Sequence, residues 1–289
     1  MKKRFLIAVV FSFMAFSSAN AQLFWKVTGN GLHKASYLFG THHVIDKVQI
    51  KDFDKIYAIS GKTDAVVGEV DMRDSTIQAK MMQVSIMKDG TIKDLLSPED
   101  YTLVDNEFKQ LIGVGMDKLG HLKPAMLNSL YAVMLFMKEM GLNKQPETVD
   151  ALFQKNARAN GKNVIPLETA EFQFDIIYNT IPLKRQAEML VKDVYEKQEN
   201  IEILKQMNTF YLAGDMGKME ELDKKDDNMT LEERNLMMDN RNAKWLKQLP
   251  GLMSTQSCFI AVGFLHLIGN NGLICLLKKA GYTVEPMVF

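Results

Sequence analysis

The chain has only two cysteines in 289 residues, so at most one disulfide can brace it. An excess of charge of either sign is also missing, with 35 Lys+Arg against 35 Asp+Glu. Nucleic acid is therefore not an expected partner. No G-x-S-x-G is present to offer an exposed serine nucleophile on a strand-to-helix elbow. Beyond the first 21 residues no apolar run is long enough to cross a bilayer, so no stable membrane anchor is expected. What is present is 47% apolar and 24% charged residues, an ordinary globular composition able to bury a sizeable core.

The first residues read as an export signal. Lys2, Lys3 and Arg4 precede an apolar run from Phe5 to Phe16, and small residues lead to Ala19-Asn20-Ala21, an A-x-A cleavage site. The expected mature chain begins at Gln22, in the periplasm or secreted. Losing those three basic residues gives it a net charge of −3. In that oxidising setting Cys258 opens a predicted strand, whereas Cys275 lies in the helix that returns along it. The rise per residue in each element puts them more than roughly 10 Å apart, so two free, buried thiols are expected.

The chain reads as a single domain over 22–289. Leu23 to Thr28 and Ser36 to Thr41 suit a hairpin across Gly29-Asn30-Gly31. A short helix around Lys51 to Ser60 and a buried strand over Asp64 to Val70 follow. A helical insertion over about 75–250 is interrupted by a strand at Lys162 to Leu167. Within it Ser97-Pro98-Glu99-Asp100 starts one helix and Pro124 another. Met126, Leu130, Val133, Met134 and Met137 form a stripe expected to be core. Glu220 to Asp227 reads as a solvated bend. Cys258 to Leu267 as strand, Gly272 to Ala280 as helix and Tyr282 to Val288 as strand close the chain. The fold class is α/β, with a central mixed sheet built from two β-α-β halves and the helical insertion between them.

The halves are suggested by an internal similarity. Tyr37-Leu38-Phe39-Gly40-Thr41-His42-His43 lies over Ile260-Ala261-Val262-Gly263-Phe264-Leu265-His266 with glycine on glycine and histidine on histidine. A residue without Cβ at a strand's carboxyl end allows a tight turn or a close approach. Of the five histidines the repeat selects His43 and His266, with His42 in reserve and His33 and His121 set aside. Glu69, at the end of the next strand, would complete a 2-His-1-carboxylate set for a divalent metal, outside the carboxyl ends of the strands where α/β sheets bind ligands. Asp71 and Glu285 are candidates to support it. Glu168 follows another strand and could be a ligand or general base, and Arg241 could hold a substrate carboxylate or stabilise an oxyanion.

These segments resemble the TraB/GumN family, which includes the Tiki-type metalloproteases and is related to the erythromycin-esterase and ChaN-like folds. The resemblance runs through Trp25-Lys26-Val27, the two G-x-x-H segments, Gly68-Glu69-Val70-Asp71, Val149-Asp150-Ala151-Leu152, Leu167-Glu168-Thr169, Asp239-Asn240-Arg241-Asn242 and Gly281-Tyr282-Thr283-Val284. It implies that His43, Glu69 and His266 serve metal-dependent peptide hydrolysis, with manganese or cobalt favoured over zinc or iron. The sequence departs in carrying His42 where the family usually has an aliphatic residue. The expectation is a metal-dependent hydrolase acting on a peptide or small molecule, its oligomeric state unassigned. The alternatives are a metal or haem carrier, as the ChaN-like resemblance allows, and a metal-free esterase.

Overall fold

A computed structural model describes residues 23–73, 76–225 and 228–289; the predicted signal peptide lies outside them. The strands are β1 (Phe24–Gly29), β2 (Ser36–Thr41), β3 (Ala65–Gly68), β4 (Asn163–Pro166), β5 (Cys258–Gly263) and β6 (Tyr282–Pro286). They form one mixed sheet in the order β4-β3-β5-β2-β1-β6. β4, β3, β5 and β2 run parallel, while β1 is antiparallel to both β2 and β6. The predicted hairpin turns through Gly29, Asn30 and Gly31, all at positive φ, where glycine carries no Cβ penalty.

β3 is buried along its whole length and β5 as far as Val262, so the continuous apolar runs belong to strands covered on both faces. Alternation sorts their side chains. Val66, Phe39, Phe259 and Ala261 join the core under the helices Phe53–Ser60 and Val149–Ala159. Val67, Leu38, Ile260 and Val262 join the opposite core with Trp245 and Leu249 of the helix Asn240–Thr255. The helical insertion has a third core around Phe108, Tyr131 and Leu190.

Four expectations need correction. On the helix Pro124–Glu139 the buried stripe is Leu127, Tyr131 and Leu135, and the predicted methionine stripe flanks it half-buried; the side facing the neighbouring helices is one position round. Glu220 to Asp223 is the end of the helix Met216–Asp223 rather than a bend, and Asp223 pairs with Arg234. Both thiols are free, yet only Cys258 is buried, because the short helix Leu273–Lys279 turns Leu273 and Leu277 inward and leaves Cys275 half-exposed. β5 stops at Gly263, and Phe264–His266 form a 3-10 turn.

That stop depends on Gly40. A Cβ there would lie 2.9 Å from Phe264 Cβ, so the chain leaving β5 crosses directly over β2. Gly40→Ala is expected to destabilise the protein by about 1–3 kcal/mol through overpacking, measured by urea unfolding. Wild-type stability would show that Phe264 moves aside freely.

Candidate functional site

The four parallel strands deliver the candidate residues in sheet order. Glu168 follows β4, Glu69 follows β3, His266 follows β5 and His43 follows β2. All four emerge at carboxyl ends, on one rim of the sheet, where α/β proteins place ligands.

Glu69 is held on both oxygens. Its Oε1 accepts the Gly263 N–H at 2.8 Å, and its Oε2 accepts Gln173 Nε2 at 2.7 Å and Arg241 Nη2 at 2.8 Å. A Cβ on residue 263 would lie 3.3 Å from Oε1, so glycine there permits the close approach. Burial alone would raise this carboxyl; His266, the Arg241 guanidinium, the Gly263 N–H and His43 outweigh it and hold the pKa at about 2.

Arg241 is buried and ties three strand ends together. Its Nη2 donates to Glu69 and, at 2.5 Å, to Glu168 Oε1; its Nε donates to both Glu168 oxygens. Nη1 donates to the Met237 carbonyl and to His266 Nε2, each at 3.1 Å. The guanidinium also lies over the Trp245 ring, and Trp245 Nε1 donates to Glu168 Oε2. The segment before it, Asn235–Asp239, is a π-turn in which the Asn240 N–H reaches back to the Asn235 carbonyl, a wide turn of the kind that accompanies functional positions.

His266 is 4% exposed and its tautomer is determined. Arginine can only donate, so Nε2 accepts and Nδ1 carries the proton. Nδ1 lies 2.7 Å from Asn242 Oδ1, while Asn242 Nδ2 donates to the Asn271 carbonyl at 2.9 Å. Burial lowers this imidazole to about 4 despite the pull of Glu69, with Arg241 and His43 acting in the same direction as burial.

His43 has the opposite environment. Its side chain is 70% exposed, and Nδ1 lies 3.6 Å from Asp150 Oδ2. Asp150 sits in the first turn of the helix Val149–Ala159 and accepts the Thr41 hydroxyl at 2.8 Å through Oδ1. Its buried Oδ2 has no hydrogen-bond partner among the described residues. The Asp150 carboxylate raises the His43 pKa against desolvation, and the exposure of the His43 ring screens part of that attraction. Glu69, Arg241 and His266 also feel the charge on His43, so the four form one electrostatic unit.

His42 points elsewhere, into Phe136, Tyr211 and Phe264, stacked on Phe264 at 5.7 Å. Burial, then His43, lowers it to about 4. The strand ends at Thr41, so the two adjacent histidines separate in a turn rather than by alternation. Asp71 pairs with Arg158, and Glu285 is exposed on the far edge strand opposite Lys26; neither touches Glu69.

Sequence reasoning gave no role to Asp150, Asn242, Gln173 or Trp245. The only signal was that Asp150 and Asn242 stand within segments that carry the family resemblance. Among the described residues, no three His, Cys, Asp or Glu side chains already stand in metal-holding geometry. The donor chemistry nonetheless fits a divalent ion: His266 is hydrogen-bonded through Nδ1 to Asn242, and the unpartnered Asp150 oxygen lies 3.6 Å from His43 Nδ1, the kind of outer partner that orients imidazoles in protein metal sites.

No curated protein and no solved structure matches the chain. The model of the TraB/PrgY/gumN family matches residues 23–286, which include all four strand-end residues and nearly the whole chain, and on that match this protein belongs to the TraB/PrgY/gumN family.

Proposed function

We propose that this protein is an exported metal-dependent hydrolase of a peptide or small-molecule substrate, with His43, Glu69 and His266 holding the ion. The observation that carries the reading is the pair of histidines that share one sheet rim with a glutamate and are each approached at Nδ1 by a polar partner. A divalent ion, manganese or cobalt before zinc or iron, would polarise a scissile carbonyl and acidify a water.

The chain's own residues define the rest. Asn242 holds His266 in the tautomer whose Nε2 accepts from Arg241 Nη1, with Glu69 Oε1 4.0 Å from the same nitrogen. Gln173 and Gly263 fix the glutamate rotamer. Arg241, braced by Glu168 and Trp245, supplies the fixed positive charge against which an oxyanion could form. His43, at the solvent side, is the residue through which protons can exchange with water. We also infer that β2 and β5 are counterparts, since they lie side by side, run parallel and each leads through a helix to another parallel strand.

A second reading has its own support. Arg241 Nη1 already occupies His266 Nε2, and a guanidinium between two carboxylates and an imidazole could serve a metal-free esterase in which Glu69 and His43 move protons. Metal content decides. Mass spectrometry of wild type beside His43→Ala and His266→Ala, after dialysis against manganese, cobalt, zinc and iron, is expected to find about one ion in wild type and none in either variant. Absence of any retained ion under all conditions would sink the metal reading and leave the esterase, whose turnover would survive chelation.

A further inference from the structure

A cavity of about 420 Å³ lies between the helices Ile77–Ser85 and Ala170–Asn179, away from the strand ends. That volume is within the range of small-molecule sites. Its walls combine two kinds of surface. Ile86 and Phe174 are apolar, and Lys80, Lys88 and Lys123 also line it, with Glu171 the one lining carboxylate among the described residues. Lys80 and Glu171 pair at 2.5 Å. Lys123 instead donates to the neutral amide oxygen of Asn179, with the carboxylate of Asp175 contributing only a through-space attraction.

Backbone contacts hold the basic wall in place. The Lys123 N–H donates to the Ser85 carbonyl at 2.7 Å, and Ile86 bridges Leu122. Burial lowers the Lys123 pKa against the attraction of Asp175, and Lys88 acts in the same direction as burial. The helix Ala170–Asn179 turns Glu171 and Phe174 to the cavity and Gln173 to Glu69, so the cavity stands one helix away from the candidate centre.

We propose that this cavity binds a small amphiphilic organic anion, its charged head between Lys88 and Lys123 and its hydrocarbon part against Ile86 and Phe174. The head would pair with the ammonium groups of Lys88 and Lys123, and the apolar wall rewards a ligand with a hydrophobic body over a bare ion.

The test is calorimetric titration of the full chain with octanoate, with octanamide as the neutral match and inorganic phosphate as the bare anion. Octanoate is expected to bind saturably at one site, and to bind about tenfold or more weakly in the Lys88→Gln/Lys123→Gln double variant. Octanamide and phosphate are each expected to bind at least about tenfold more weakly than octanoate. Gln83→Trp, which places bulk at the cavity wall from an exposed position, is expected to block octanoate while leaving thermal unfolding unchanged. No saturable octanoate binding, unchanged affinity in the double variant, or binding that survives Gln83→Trp would each overturn the proposal. Phosphate binding as tight as octanoate would overturn the amphiphile.

Discussion

Arg241→Met is expected to destabilise the chelator-treated protein by on the order of 3–5 kcal/mol, the range for removing one partner from a buried ion pair. The Arg241 side chain is 7% exposed and is the shared donor to Glu69 and Glu168, whose side chains are 12% and 4% exposed. Without it, among the described residues, two carboxylates at neighbouring strand ends keep Gln173, Trp245 and the Gly263 N–H as hydrogen-bond donors. The loss also frees His266 Nε2, so the variant separates two roles of Arg241. Adding Glu168→Gln to Arg241→Met should recover much of the lost stability, because the second unpaired charge goes with the first. Urea unfolding followed by circular dichroism measures both. A loss below about 1 kcal/mol in the single variant would mean that water already screens the cluster as at a surface pair.

Acid is expected to weaken the fold well before ordinary carboxylates titrate. His266 has its pKa lowered from 6.5 to about 4 by burial, so the unfolded chain binds a proton that the folded one refuses. A depressed folded-state pKa contributes stability that is complete above the unfolded value and lost as pH falls toward the folded one. For His266 that window runs from about 6.5 to about 4, and lowering pH from 7 to 5 should cost about 2 kcal/mol in metal-free protein. His42, lowered to about 4 by burial and by His43, acts in the same direction. Glu69 continues the loss from its ordinary value of 4.5 toward about 2. His43 has the opposite sign: its raised pKa contributes below 6.5 and fades as pH rises, weakly because the ring is open to water. Unfolding midpoints at pH 7, 6 and 5 test this, with His266→Gln as the control that should flatten the dependence. A wild-type curve already flat between pH 7 and 5 would show that the imidazole protonates without cost and is not buried in solution.

The asymmetry between the two histidines could not have been read from their matched motifs. Both G-x-x-H segments look alike, yet one histidine leaves a strand into solvent beside Asp150 and the other is folded by a 3-10 turn under Trp245. The ring of His266 lies 4.4 Å from that of Trp245, 21 positions earlier in the chain.

By itself the sequence determined where the strands lie, apart from the end of β5, the residues that follow their carboxyl ends and the family. These follow from local rules: alternation and continuous apolar runs mark strands, glycine marks the close approach, and a polar residue after an apolar run marks a strand end. Only the tertiary structure decided which partners those residues meet. Glu69 and Arg241 are 172 positions apart, Thr41 and Asp150 are 109 apart, and Asn242 reaches His266 across 24. The methionine stripe was misplaced by one position for the same reason, since which side of an amphipathic helix is buried depends on the helices packed against it. Charge state is set by desolvation and by groups within a few ångströms, and separation along the chain says nothing about either.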